Sequence, residues 1–234
     1  VLSCSNLISV KNFGKFEYWF ALVKVVAIIG FLVVCLMGVS GVWPLAQTSG
    51  VENLWSNGGF MPNGFGAVLA GVLVTIFSFF GAEIVTIAAD ETANPKDKIR
   101  RATNLVVYRI AIFYLASIFL VVSLVAWNDP GLKAVGSFQR VLEVLNVPGA
   151  KLLVDLVVLV AVTSCMNSSI YIASRMMYSL AKRGDAPAFL NKTSKVGVPR
   201  SAVFGSTLIG AAIAVLNYFA PKGVFEFLLA SSGA

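Results

Sequence analysis

The chain has 234 residues, of which 58% are hydrophobic and only 12% charged, with a formal net charge of +7 and a mean hydropathy of +0.85. An ordinary soluble domain carries roughly 25% charged residues, so this composition excludes one: too few polar groups exist to cover a water-facing surface. The basic excess does not read as a nucleic-acid interface, because Lys and Arg fall between apolar runs and not along one face with interleaved aromatics.

The apolar runs predict five full membrane spans and the start of a sixth. In chain order they cover residues 17–38, 65–90, 104–127, 151–182 and 201–219, and the opening piece is 224–234. Each complete run offers about 20 or more mainly apolar residues, enough for a helix to cross roughly 30 Å of hydrocarbon. Turn signals separate them: Pro44, Asn57-Gly58-Gly59, Asn63-Gly64, Asn94-Pro95, Asp129-Pro130-Gly131 and Ala220-Pro221. The fold class expected is therefore an all-α polytopic membrane protein, with one incomplete transmembrane domain over residues 1–234. The chain lacks a start methionine and stops inside an apolar segment, so both ends are expected to be truncated.

Orientation follows from the basic residues. Eleven of them, including Lys11, Lys96 and Lys192, lie in the connections before span one, between spans two and three, and between spans four and five. The opposite connections hold four: Lys133, Arg140, Lys151 and Lys222. The richer side is read as cytoplasmic. Trp43, Trp55 and Trp127 then sit at the outer interface, where amphipathic rings settle.

Charge within a span is costly and marks candidate function. Glu83 lies in FSFFGAE (77–83), where Gly81 lowers the cost of leaving helical geometry. One reading is a broken helix whose unwound carbonyls bind an ammonium group; the other is a packing glycine beside a paired carboxylate. Lys24 stands among Val23, Val25, Val26 and Ala27. Lost hydration weakens its charged form, which suits proton exchange, whereas the alternative is a permanently held structural lysine. Arg109 and Asp155 lie close enough to span ends to snorkel. Span four carries Thr163, Ser164, Asn167, Ser168, Tyr171, Ser174, Arg175 and Tyr178 within an arc of about 140°, at about 100° per residue. That arc is either helix-packing glue or, in its upper part (Thr163, Ser164, Asn167, Ser168), the lining of a substrate path. The segment 179–200 is basic and irregular and reads as a solvated loop. With no His, and with Cys4, Cys35 and Cys165 scattered, neither a His-ligated metal, a His-based catalytic pair nor a disulfide framework is expected.

Three stretches, KNFGKFEYWFALVKVVAIIGF, FSFFGAEIVTIAADET and SCMNSSIYIASRMMYSLAKRGDAP, together resemble the amino acid–polyamine–organocation (APC) superfamily of transporters. The runs GAEIVTIAA and RGDAPA look most like its bacterial amino-acid permeases of the 4-aminobutyrate (GABA) branch. The resemblance implies a twelve-span inverted-repeat transporter fold with a discontinuous helix at FSFFGAE. It implies a proton-coupled symporter of amino acids, GABA or a related ω-amino acid foremost, in a bacterial inner membrane. Phe77, Ser78, Phe80 and Gly81 would bind substrate, Glu83 would gate, and Lys24 would couple the proton in place of a sodium ion. No cofactor is implied beyond the proton gradient. The partners implied are the small amino acid and the lipid bilayer, not nucleic acid; the oligomeric state stays open. A broader-specificity permease or exchanger of the same fold is the alternative, and a membrane enzyme or channel subunit the alternative from another class.

Overall fold

The structure, a computed structural model, describes residues 2–8, 10–48, 50–77, 95–194 and 197–220. Among these residues every regular element is helical. The helices are α1 (Leu2–Ile8), α2 (Val10–Val39), α3 (Asn53–Ser56), α4 (Gly64–Phe77) and α5 (Pro95–Leu124). They continue with α6 (Gly131–Val135), α7 (Ser137–Val144), α8 (Ala150–Arg183), a 3-10 turn (Ala188–Asn191) and α9 (Arg200–Phe219). Among the described residues, four stretches are long and apolar enough to cross a membrane: Phe13–Val39, Thr103–Leu124, Ala150–Arg183 and Arg200–Phe219. At 1.5 Å per residue α8 reaches about 51 Å, more than the hydrocarbon thickness, so its ends project beyond the bilayer core. The second expected span begins as α4. Its remainder, 78–90, lies outside the described residues, as does the opening piece at 224–234.

Large apolar side chains stand exposed along the long helices; Leu115 is 69% and Phe204 68% exposed. In water such a surface would aggregate, whereas in a bilayer it is ordinary lipid-facing or helix-facing area.

The chain divides into two compact units, residues 23–159 and residues 1–22 with 160–234. In the first, Phe31 and Cys35 of α2 pack with Leu120 and Leu124 of α5 and with Val141, Leu142 and Leu145 around α7. Phe31 meets Phe138 edge to face at 4.9 Å, the arrangement aromatic quadrupoles favour. Gly38 lets Leu145 approach closely: a Cβ there would lie 2.5 Å from Leu145 Cδ2.

One end of this unit is capped by two connections sewn together. Helix α2 stops because Gly41 takes a left-handed turn (φ 74°), after which the Val42 N–H donates back to the Met37 carbonyl at 3.0 Å. Trp43 Nε1 then donates to the Leu145 carbonyl at 2.7 Å and Trp127 Nε1 to the Asn57 carbonyl at 2.9 Å. Asn53 Nδ2 donates to the Ser123 carbonyl at 2.9 Å, Thr48 Oγ1 to the Leu124 carbonyl at 3.3 Å, and Asn146 Nδ2 to the Leu45 carbonyl at 2.9 Å. Asn146 itself has a positive φ of 51°, a conformation Asn tolerates better than most residues. Beside them, Arg140 grips Asp129 in a fork, Nε to Oδ1 at 3.1 Å and Nη2 to Oδ2 at 3.0 Å. That contact, with the Gly131 N–H, holds the Asp129 carboxyl below its usual range and pushes Arg140 up. A Cβ on Gly131 would fall 2.6 Å from Arg140 Nε, so only glycine leaves the fork undisturbed.

In the second unit, α8 ends in a Schellman turn: Gly184 has φ 92°, and the Asp185 N–H donates to the Leu180 carbonyl at 3.0 Å. Lys182 and Arg183 stand in the last turn of α8, where the helix dipole favours positive charge. The chain then folds back on itself, with Leu190 buried against Ala181 and Ala202. The basic asymmetry predicts that this turn faces the cytoplasm. In a cysteine-free background, Lys192→Cys should resist a membrane-impermeant thiol reagent in intact cells, and Val135→Cys should react. Labelling of Lys192→Cys from outside would reverse the orientation.

Candidate functional site

The polar arc of α8 acquires its partners in the second unit. Ser164 and Asn167 are each 1% exposed, and both point at one carboxylate. Ser164 Oγ donates to Glu17 Oε2 at 2.7 Å, and Asn167 Nδ2 donates to Glu17 Oε1 at 2.8 Å. The other side of the Asn167 amide is also occupied. Its Oδ1 accepts from Ser5 Oγ at 2.8 Å and from Asn6 Nδ2 at 2.9 Å. Three helices thus meet through a chain of hydrogen bonds at α1, the start of α2 and the middle of α8. In a membrane such bonds stand in for the hydrophobic drive that lipid removes.

One turn before Glu17, Phe13 stacks on Tyr171 with ring centroids 4.1 Å apart and planes 7° from parallel. The Arg175 guanidinium carbon lies 3.9 Å from the centroid of the same Tyr171 ring. Two groups cannot share one face at that distance, so Tyr171 is sandwiched, with Phe13 on one side and Arg175 on the other. Arg175 Nη1 also donates to Ser174 Oγ at 3.1 Å, and Ser174 Oγ donates to the Tyr171 carbonyl at 2.8 Å. The buried face of α8 is therefore one continuous ridge from Ser164 to Arg175.

The remaining candidates fall in different places. Thr163 and Ser168 are half-buried on α8, flanking the ridge. Lys24 is half-buried on α2 in the first unit. Arg109 and Asp155 are exposed. Phe77 is the last described residue of α4, and Ser78, Phe80, Gly81 and Glu83 lie outside the described residues. Sequence reasoning passed over Glu17, which looked like the polar edge of span one. The available signal was an acidic residue one turn after Phe13, inside a helix that begins well before the hydrophobic run.

Comparison with known proteins bears on the whole chain. The family model for amino acid permeases matches residues 1–234. The chain is 58% identical over 233 residues to the gamma-aminobutyric acid permease of Escherichia coli (strain K12), covering 100% of this chain and 50% of that relative. It is 58% identical over 235 residues to a probable GABA permease of Pseudomonas aeruginosa, with the same coverage. To the aromatic amino acid transport protein of Corynebacterium glutamicum it is 38% identical over 231 residues, covering 97% of this chain and 50% of that relative. The chain thus spans about half the length of the curated relatives it matches. No solved structure matches it. Together with its long apolar helices, the permease relatives make this a multi-pass protein of the inner (plasma) membrane. A match that runs from the first residue to the last places the chain in the amino acid permease family.

Proposed function

We propose that this chain forms part of a proton-coupled amino-acid symporter that works by alternating access, with GABA or a related ω-amino acid as its substrate. The observation that carries this reading is the difference in identity over the same span: 58% to the gamma-aminobutyric acid permease against 38% to the aromatic amino acid transport protein. Residues that all amino acid permeases need would raise both figures equally.

The chemistry of the substrate supports the proposal. The substrate is a zwitterion, so its site must satisfy two opposite charges with little net charge of its own. Unwound carbonyls around Phe77, Ser78 and Phe80, freed at Gly81, would accept the ammonium group, and a helix N-terminus outside this chain would meet the carboxylate. Glu83, two residues beyond Gly81, would hold the gate. Lys24 would load a proton on one side and release it on the other, while bundles of helices rock around the site. Transport of this kind makes and breaks no covalent bond, so the protein is a carrier and not an enzyme.

The test is uptake of labelled GABA, proline and arginine by the full-length protein in a host lacking its own carriers. Saturable GABA uptake that collapses with a protonophore is expected. Equal uptake of proline or arginine would favour the broader-specificity permease, and uptake unaffected by the protonophore would remove the proton from the mechanism.

A further inference from the structure

We propose that Glu17 is a positioning residue for transport, acting by fixing the rotational setting of α8 against α2; its functional half rests on the transport reading above. A carboxylate at position 17 accepts from both donors of the cluster at once. Ser5 Oγ and Asn6 Nδ2 both donate to Asn167 Oδ1, which turns the Asn167 amide NH2 toward Glu17. Ser164 presents its hydroxyl hydrogen to the other oxygen of Glu17. Two donors converge on the side chain, and a carboxylate supplies two acceptors. A glutamine there keeps an acceptor for only one of the two donors: its NH2 faces either the Asn167 NH2 or Ser164 Oγ, which must then accept instead of donate.

The clasp also fixes register. Phe13 meets Tyr171, and one turn along α2 Glu17 meets Asn167, one turn back along α8. Two rungs about 6 Å apart, at 1.5 Å per residue, lock two antiparallel helices against both sliding and rotation. Turning α8 by one residue, about 100°, would break both rungs together. What is held in place is the remainder of the arc. Thr163 and Ser168 lie about 70° to either side of the midline between Ser164 and Asn167, at about 100° per residue. Among the described residues neither has a side-chain hydrogen-bond partner, so the clasp sets their directions.

A double-mutant cycle on the full-length protein in proteoliposomes tests this. Glu17→Gln removes one of the two acceptors and the charge, and Asn167→Asp places a carboxylate against a carboxylate. Combining them restores every match. The introduced amide nitrogen donates to one oxygen of the introduced carboxylate, and Ser5 and Asn6 still donate to the other. Ser164 then donates to the oxygen of the introduced amide. Each single change should lower Vmax per inserted molecule by on the order of tenfold, since contacting pairs in one network couple strongly. The double should return to within about threefold of wild type, with KM little moved throughout. The thermal midpoint of the purified protein should follow the same pattern, and it remains readable if no amino acid is transported. In that event the transport reading falls, and the midpoints alone judge the clasp. Singles with wild-type turnover per molecule, whatever their midpoints, would overturn the positioning role. So would a double mutant no better than the worse single.

Discussion

Lys24→Arg should abolish accumulation of substrate against its gradient while leaving the protein inserted in the membrane. Lys24 lies on α2 two turns before Phe31, whose ring is buried against Phe138 and the core around Leu124 and Val141. The helix that carries Lys24 is thus firmly seated, and a longer cationic side chain half-buried on it should not unfold the unit. Chemistry makes the difference. An amine can exchange its proton, whereas a guanidinium keeps its charge at any physiological pH. A carrier that must load and release a proton in each cycle stalls with arginine at that position. Uptake in proteoliposomes with and without an imposed pH gradient measures this directly. Wild type should respond to the gradient, and both Lys24→Arg and Lys24→Ala should not. Gradient-driven accumulation by Lys24→Arg would return Lys24 to the role of a fixed structural cation.

Gly38→Leu should leave almost no folded protein, and Gly38→Ala should lower the thermal midpoint by several degrees. A Cβ at Gly38 lies 2.5 Å from Leu145 Cδ2, 3.3 Å from Leu145 Cδ1 and 3.5 Å from Leu124 Cδ2. Those leucines have little room to retreat, being 0% and 1% exposed respectively. The Leu145 backbone is held as well, through its carbonyl, by Trp43. Overpacking a site of this kind costs about 1–3 kcal/mol for small additions and more for large ones. Gly30 of the same helix is the control, since a Cβ there meets nothing within 4 Å. Gly30→Ala should be neutral. Fluorescence-detected size exclusion of the heated, detergent-solubilised full-length protein would compare them. Equal midpoints for Gly38→Ala and Gly30→Ala would show that the Leu145 contact yields freely.

Much of the helical layout is written in local sequence. The last described helix runs Arg200–Phe219 and α8 stops at Arg183, both visible as an apolar run ended by Pro, Gly or charge. Where hydropathy misleads, the reason is physical. Helix α5 begins at Pro95, inside the charged run PKDKIRR, because hydropathy marks where lipid begins and not where helical hydrogen bonding does. Proline suits that first turn, where its missing N–H costs nothing. The short α6 and α7 escape a search for 20-residue runs altogether. The site was legible in halves. The polar arc on α8 stands out by helical periodicity, but its partner Glu17 is 147 and 150 residues away from Ser164 and Asn167. No local pattern names a partner at that distance, because pairing is decided by which helices the topology brings together.

The seam between the two capping connections has an unequal grammar. Trp43, Thr48, Asn53, Trp127 and Asn146 each contribute a side-chain donor, while Leu145, Leu124, Ser123, Asn57 and Leu45 contribute only backbone carbonyls. Any residue can supply a carbonyl, whereas few can supply an indole N–H or an amide in the right place. Of the accepting residues, Leu145, Leu124 and Ser123 are fixed by burial, so substitution at the seam is open at the exposed Leu45 and the half-buried Asn57 and closed on the donating side. An exchange at Leu45 or Asn57 should therefore still dock the two connections alike, so long as the five donors stay.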